Sequence, residues 1–568
     1  MVVRLVVMAL VVALTACKPP SDGPHDYLDT ALILRPRWNG SSDRIAFLQL
    51  ENGRRQALLS RPDGGTEVLA GGPGEQIRFV TWCPGDQGLA LGLVRAGNRN
   101  QQLYLADLEG GPLKPLAVNP DAFHELGTFS RDGTRATISS NARLPDRYDI
   151  QLQDMSSQQR RTIFQGEGRC LGVRFAGKDT LLISEDTSRT SELLHLLHLD
   201  TDKVQSLGTR QERHHYQKAT FRGRDLMVLT DRGAQQRYLG RWALDTDQLE
   251  PMLDLPGEVV DYAWDQDRDE VVLQLQSEGA HHLYLHDLRA GRTRPLKDLP
   301  EGYIRHLRYL GPRTIGMLYS RPDLPPTLMR WDLAQGSPTP VLSGQAASLP
   351  VVSPRRVHFH NRELELGAWL YQGHDTSQGG LIYLRHEPSE QAYLHFDPVV
   401  EWWASRGFAV LVPDVRGSSG RGRDFEALDD GPGRQGALED VVAAADYLKS
   451  QGVERVALFG REYGGYLAIG ALARSPQSFT SAVALDADLD LDWLIEDAYP
   501  WQRREWREEL GDTAALSLLP ELGPARLKCL LLYSPRHKSR YRQLPGAQEC
   551  AGLRPALTQA LAYLEGAR

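Results

Sequence analysis

The stretch RVALFGREYGGYLAIGALARSP, Arg455–Pro476, decides the fold of the C-terminal part of the chain. RVALFG is a short continuous apolar run, the pattern of a strand buried on both faces. YLAIGALARSP has the length and residue types of a helix, and Pro476 stops it. Between them lies a turn rich in small residues, Gly460, Gly464 and Gly465. Working outward, the same alternation continues in both directions. Upstream stand the hairpin Val357–Gly373, the buried strand Gly379–His386 and the strand-to-loop segment Phe408–Gly422. The helix Ala437–Gly452 follows, with Leu438, Val441, Val442, Ala445 and Leu448 on one face. Downstream are the strand Phe479–Ala487 and a last clear strand, Leu527–Pro535. Apolar strands alternating with helices predict a mostly parallel, doubly wound sheet covered on both faces.

A different pattern fills residues 27–344. An aromatic closes a short apolar strand at Trp38, Trp82, Phe129, Phe175, Phe221, Trp264 and Tyr309, at intervals of 43 to 47 residues. The second half of each unit reads as a strand with a period of two: LYLADL (Leu103–Leu108), IQLQDM, LHLLHL, YLGRWAL, LYLHDL and LMRWDL. The first unit offers only the weaker Arg55–Gly65. A repeat of this length with about four strands is one propeller blade, so seven units predict seven blades. Two histidine pairs, His214–His215 and His281–His282, fall in this region. Neighbours on a strand point to opposite faces, so neither pair is suited to one metal ion. Both are read as surface or loop residues, and no metal or other cofactor is expected.

The chain has 568 residues, two or more domains' worth, with a net charge of -8 and no basic stripe, which argues against nucleic acid as a partner. Arg4 and the apolar run Leu5–Leu14 form a segment too short to span a bilayer, and they read as a signal peptide. Leu14-Thr15-Ala16-Cys17 resembles the bacterial lipobox, which implies lipid on Cys17 and attachment to the cell envelope. Lys18 after the cysteine implies the outer membrane in a diderm cell. The expected organisation is signal peptide 1–16, tether 17–26, propeller 27–344, linker 345–356 and doubly wound α/β domain 357–568. Of the remaining cysteines, Cys83, Cys170, Cys529 and Cys550, the last two are either paired or free.

The order hairpin, buried strand, PDVRGSSGRGRDF (Pro413–Phe425), long helix, then strand–GREYGGYLA (Gly460–Ala468) resembles the catalytic domain of the prolyl oligopeptidase family of serine peptidases. The resemblance covers roughly residues 357–533, and with the propeller before it most of the chain. It implies an α/β-hydrolase fold in which the turn at residues 460–464 is the nucleophile elbow G-x-S-x-G. The tip of that elbow is Glu462, not serine, and the backbone of Tyr463 takes the oxyanion position. A carboxylate cannot attack as a serine alkoxide does, and its charge opposes an oxyanion. Near the position of the family's aspartate stands His537, the only histidine after Glu462. The chain ends about where the strand and loop that would carry the family's catalytic histidine should begin, which predicts a sheet truncated at its last strand. RHEPS (Arg385–Ser389) replaces the family's oxyanion segment. A carboxylate nucleophile would still need a histidine to activate water. The bland reading of Glu462 is a salt bridge to Arg461 or Arg416, and of His537 a surface residue.

Two functions follow as expectations. One is an inactive pseudopeptidase that binds a peptide, a protein or an envelope component, by default in the cleft between the domains. The other is an active serine-type peptidase or esterase with a displaced constellation.

Overall fold

The computed structural model describes residues 25–28, 30–51, 53–61, 64–344, 350–373, 376–518, 528–534, 547–550 and 553–566. Cys17 and His537 lie outside them.

Seven four-stranded antiparallel sheets follow one another from Leu32 to Ser343, each built from four consecutive strands. The blades are Leu32–Ala70, Glu75–Ala117, His124–Gln165, Cys170–Leu207, Tyr216–Pro251, Glu258–Leu296 and Tyr303–Ser343. The marker aromatics all sit at or next to the end of a first strand, and the period-two segments form third strands. The weak first unit is a complete blade. Every first strand carries a bulge, from Leu34/Arg37 in blade 1 to Arg305/Arg308 in blade 7. Bulges increase local twist, which suits the crowded axis of the ring. The ring closes through packing: Ile33, Trp38, Phe47 and Leu58 of blade 1 share a buried cluster with Leu318 and Leu328 of blade 7.

The C-terminal domain is built on an eight-stranded sheet. Its strands are β1 (Arg355–Asn361), β2 (Leu364–Tyr371), β3 (Gly379–Leu384), β4 (Phe408–Pro413), β5 (Val456–Arg461), β6 (Ser481–Leu485), β7 (Cys529–Tyr533) and β8 (Ala547–Glu549). The spatial order is β1-β2-β4-β3-β5-β6-β7-β8, parallel from β4 onward. The helices used below are α1 (Pro398–Ser405), α2 (Arg434–Ser450), α3 (Tyr463–Arg474), α4 (Leu491–Asp497), α5 (Pro500–Leu510) and α6 (Leu553–Gly566). Residues of α2 and α3 cover one face of the sheet and residues of α1 and α6 the other, each over its own buried apolar cluster.

Three expectations need correction. The sheet is not truncated: β8 pairs in parallel with β7, Leu531 opposite Ala547 and Tyr533 opposite Glu549. It was invisible in sequence because it is three residues long and reads Ala-Gln-Glu. The propeller does not begin at residue 27: Tyr27 is buried in the C-terminal domain's core, and its hydroxyl donates to Pro350 O at 2.6 Å. His281 is not a surface residue. It is buried, accepts the Ile304 N–H at 2.9 Å, and burial lowers its pKa to about 3. Cys83, Cys170 and Cys529 are free of disulfides.

The two domains are clamped together at the rim of the ring. Trp501, at the start of α5, stacks on Tyr499 with ring centres 4.4 Å apart. It also meets Phe123 and Tyr148 of blade 3 edge-on, at 5.2 and 5.1 Å. Aromatic contacts of this kind add about 0.5–1.5 kcal/mol each beyond burial. Arg189 with Glu509 (2.6 Å) and Arg423 with His214 (2.8 Å) tie further points of the seam.

Candidate functional site

The elbow keeps the conformation that the sequence implies. Glu462 directly follows β5 at φ 50°, ψ -117° and is the N-terminal cap of α3. That region is forbidden to most residues bearing a Cβ and costs on the order of 1–3 kcal/mol. Three backbone hydrogen bonds hold the turn: Glu462 N to Leu485 O (3.0 Å), Tyr466 N to Glu462 O (3.1 Å) and Asp488 N to Glu462 O (3.1 Å). The glycines are dictated by close approach. A Cβ on Gly460 would stand 2.1 Å from Gly464 O, and one on Gly464 would stand 2.4 Å from Leu384 O.

The Glu462 side chain is 45% exposed, and among the described residues its one ion pair is a loose one with its neighbour Arg461, at 4.0 Å. Arg416 is not its partner. That guanidinium is held by the buried Asp440 (2.9 Å), which also accepts the Arg416 backbone N–H (2.8 Å). A negative group at a helix N-terminus gains about 0.3–1 kcal/mol from the aligned peptide dipoles, so the glutamate is tolerated there without a salt bridge.

Glu462 and Tyr463 line a cavity of about 540 Å³ between the domains. Its wall on the propeller side includes Arg169, Asp186, Arg189 and Glu192. The other wall includes Glu387 of the RHEPS segment, Asp488, Asp497 and Glu505, with Trp493 and Trp506 supplying apolar surface. Carboxylates predominate, and the two arginines are already engaged. Arg169 pairs with Glu125 (2.6 Å) and Asp186 (2.9 Å), while Arg189 pairs with Glu509 and lies 4.0 Å over the Trp506 ring. Burial pushes Glu192 and Glu505 up to about 7 and raises Asp186 as well.

One residue of this site was overlooked in sequence. His386, inside RHEPS, lines the cavity, and its Nδ1 lies 2.7 Å from Glu390 Oε2. The Glu390 hydrogen bond and charge raise its pKa, with smaller contributions from Glu462 and Glu387. The signal was present: a histidine in the loop after β3, the strand beside the elbow strand. Tyr463 is buried, and its hydroxyl donates to Asp429 at 3.2 Å, so its side chain does structural work while its backbone stands at the elbow.

A serine hydroxyl bonded to an imidazole is the minimum for the family's chemistry. Among the described residues of the C-terminal domain none is found. His358 is bonded to Glu278, His386 to Glu390 and His395 to the Tyr393 carbonyl. The β8–α6 connection, residues 550–552, reads Cys-Ala-Gly, so the last loop carries no imidazole although its strand is present. In the propeller, Ser206 Oγ lies 3.0 Å from His195 Nδ1, and His195 Nε2 lies 3.0 Å from Glu185 Oε2. These three stand side by side on adjacent strands of blade 4, and neither Ser206 nor His195 lines the inter-domain cavity. No group of three or more metal-ligating side chains occurs among the described residues.

Fold and site together define a seven-bladed propeller joined to an α/β-hydrolase-type domain with a glutamate on its elbow. Residues 394–519 match the model of the prolyl oligopeptidase family. Dipeptidyl aminopeptidase BIII of Pseudoxanthomonas mexicana is 27% identical over 210 residues, 34% of this chain and 30% of that protein. The chain thus aligns with less than a third of that relative's length. A Mycobacterium tuberculosis puromycin-hydrolyzing peptidase superposes with a TM-score of 0.82 at 17% identity, over 96% of this chain and 95% of that one. Prolyl oligopeptidase B from Galerina marginata superposes with a TM-score of 0.77 at 14% identity, over 96% and 89%. At these identities the structural likeness speaks for the fold alone.

Proposed function

We propose that this protein is a non-hydrolytic prolyl oligopeptidase relative that binds, without cleaving, peptide or protein segments carrying positive charge. The observation that carries the proposal is the elbow itself: correctly strained, fully packed, and tipped with Glu462 inside a cavity rich in carboxylates. Such a site opposes the oxyanion of acyl transfer. It favours an ammonium or guanidinium group instead, with Trp493 lining the cavity beside the carboxylates. Export and lipid attachment through Cys17 belong to the same proposal and place the binding scaffold in the cell envelope. Mutating Cys17→Ala should move the protein from the detergent phase to the aqueous phase.

The test is a fluorophosphonate probe applied to the purified protein. No labelling is expected. Labelling that maps to a serine of residues 357–568 would overturn the proposal. A second reading, a displaced serine-type esterase, rests on the Ser206–His195–Glu185 row. Labelling at Ser206 that disappears in His195→Ala would favour it.

A further inference from the structure

A second cavity, of about 350 Å³, lies on the other side of His386, between blades 1 and 7 and the C-terminal domain. It shares only His386 with the acidic cavity. Its character is opposite. Leu32, Leu318, Phe396 and Leu553 contribute apolar wall. Its charged groups are Arg305, Arg385 and Arg461 against Glu390 and Asp397.

The carboxylates do not neutralise it. Arg385 is engaged with both, bonding to Glu390 and to Asp397 Oδ2 at 3.1 Å, and its side chain is 11% exposed. Its Nε–H is buried and has no hydrogen-bond partner among the described residues. The same holds for Arg461 Nε–H. Arg305 pairs with no carboxylate among the described residues and lies 5.7 Å over the Tyr303 ring. Of the imidazoles, His395 is lowered by burial and then by the Arg385 charge, whereas His386 is raised by Glu390. The cavity therefore sets three guanidinium groups against two carboxylates, with two buried N–H donors and one buried carboxylate oxygen, Glu390 Oε2, without hydrogen-bond partners among the described residues beyond the ion pair of Glu390 with His386. Buried donors are nearly always satisfied, and guanidinium groups in excess over carboxylates favour an anion. A planar anion with an apolar body answers both features, because guanidinium groups bind carboxylates through paired charge-assisted hydrogen bonds. The volume sits at the lower end of the range for ligand sites.

We infer that this cavity is a binding site for a small apolar carboxylate, either a free aryl- or alkyl-carboxylic acid or the C-terminal carboxylate of a short apolar peptide. The site is independent of the proposed cation-binding cavity.

Isothermal titration of the full-length protein tests it with 3-phenylpropionate and with the dipeptide Gly-Phe, each beside its amide. Binding of either acid at millimolar concentration, with its amide at least tenfold weaker, is the expected result. The acid that binds identifies the source. Arg461→Gln and Arg305→Gln should each weaken the acid tenfold or more. Arg305 is exposed and comes from the propeller, so its variant remains informative if the elbow variant fails to fold. Equal binding of acid and amide, no binding of either acid, or undiminished binding in both variants would overturn the assignment.

Discussion

Restoring the nucleophile alone should not restore catalysis. In Glu462→Ser the hydroxyl would inherit the elbow's geometry, since the glycines and the three backbone bonds of the turn do not involve the side chain. It would lack a base. The imidazole lining the same cavity, His386, is committed to Glu390 at 2.7 Å. Freeing it would forfeit a charge-assisted bond of about 1.5–3 kcal/mol, roughly a tenfold to 150-fold population penalty, before any proton moved. Loss of an aligned histidine costs on the order of 10⁶ in kcat where it has been removed from a working triad. What remains is the contribution of binding and oxyanion donors, about 10³–10⁴ over water, and here Glu387 and Asp488 in the cavity oppose even that. Hydrolysis of p-nitrophenyl acetate and of dipeptidyl coumarin amides by Glu462→Ser should therefore be indistinguishable from that of Glu462→Ala, with no acyl-enzyme burst. A burst, or fluorophosphonate labelling at position 462, would mean that a base already faces the elbow, and the argument would fail.

Glu462→Gly should stabilise the protein, because glycine adopts φ 50°, ψ -117° without strain. A gain of about 1 kcal/mol after the greater entropy of unfolded glycine corresponds to roughly 2–4 °C for a domain of this size. Calorimetry showing an unchanged or lower transition would contradict the strain assignment. Binding of a tri-lysine amide should tighten as pH rises from about 6 to 8, because Glu192 and Glu505, held up to about 7 by burial, gain their charge in that window. Titrations at both pH values and at two salt concentrations would settle this, and affinity that falls with rising pH sinks the cationic-ligand proposal. Glu401 is fully buried in α1, accepts the Val352 N–H at 3.0 Å, and is raised by burial to about 8 from 4.5. The folded state thus holds a proton that the unfolded chain releases, so this residue's contribution is complete below pH 4.5 and declines as pH climbs to about 8. Glu401→Gln should be progressively more stable than wild type across that range, by at most about 5 kcal/mol at pH 8. Denaturation midpoints that track wild type at every pH would refute it.

The larger architecture was legible because it repeats or alternates. Seven aromatics at near-equal intervals located seven first strands, and runs such as RVALFG located the buried parallel strands. Position 462 was equally readable, since the glycines around it define the turn whatever stands at its tip. What escaped was short or non-local. Strand β8 carries too few apolar residues to give a period. Tyr27 joins the C-terminal core across more than 300 residues of propeller, through its bond to Pro350. The pairing of Arg416 with Asp440 required a loop to meet the side of α2, which spacing does not reveal. His386 was hidden by a reading that treated its loop only as a lost oxyanion segment.

The sequence signature of the family survives in this chain because most of it serves packing. Gly460 and Gly464 are small because β5, α3 and the end of β3 approach within van der Waals contact, and that demand is independent of the atom displayed at the tip. PDVRGSSG behaves the same way. Asp414 is buried and accepts from Arg356 (2.7 Å) and the Ala392 N–H (2.6 Å), while Arg416 clamps Asp440 and so ties the loop to α2. Removing any of these groups would leave a buried charge unpaired, at a cost of several kcal/mol. A tip residue exposed to a cavity carries no such constraint. A glutamate at the tip costs the fold almost nothing, and the helix dipole even favours its charge. The motif is therefore strong evidence for architecture and weak evidence for hydrolysis, and the two must be read from different atoms: architecture from the glycines and the buried ion pairs, activity from the side chain they lift into the cleft and the imidazole that has to face it.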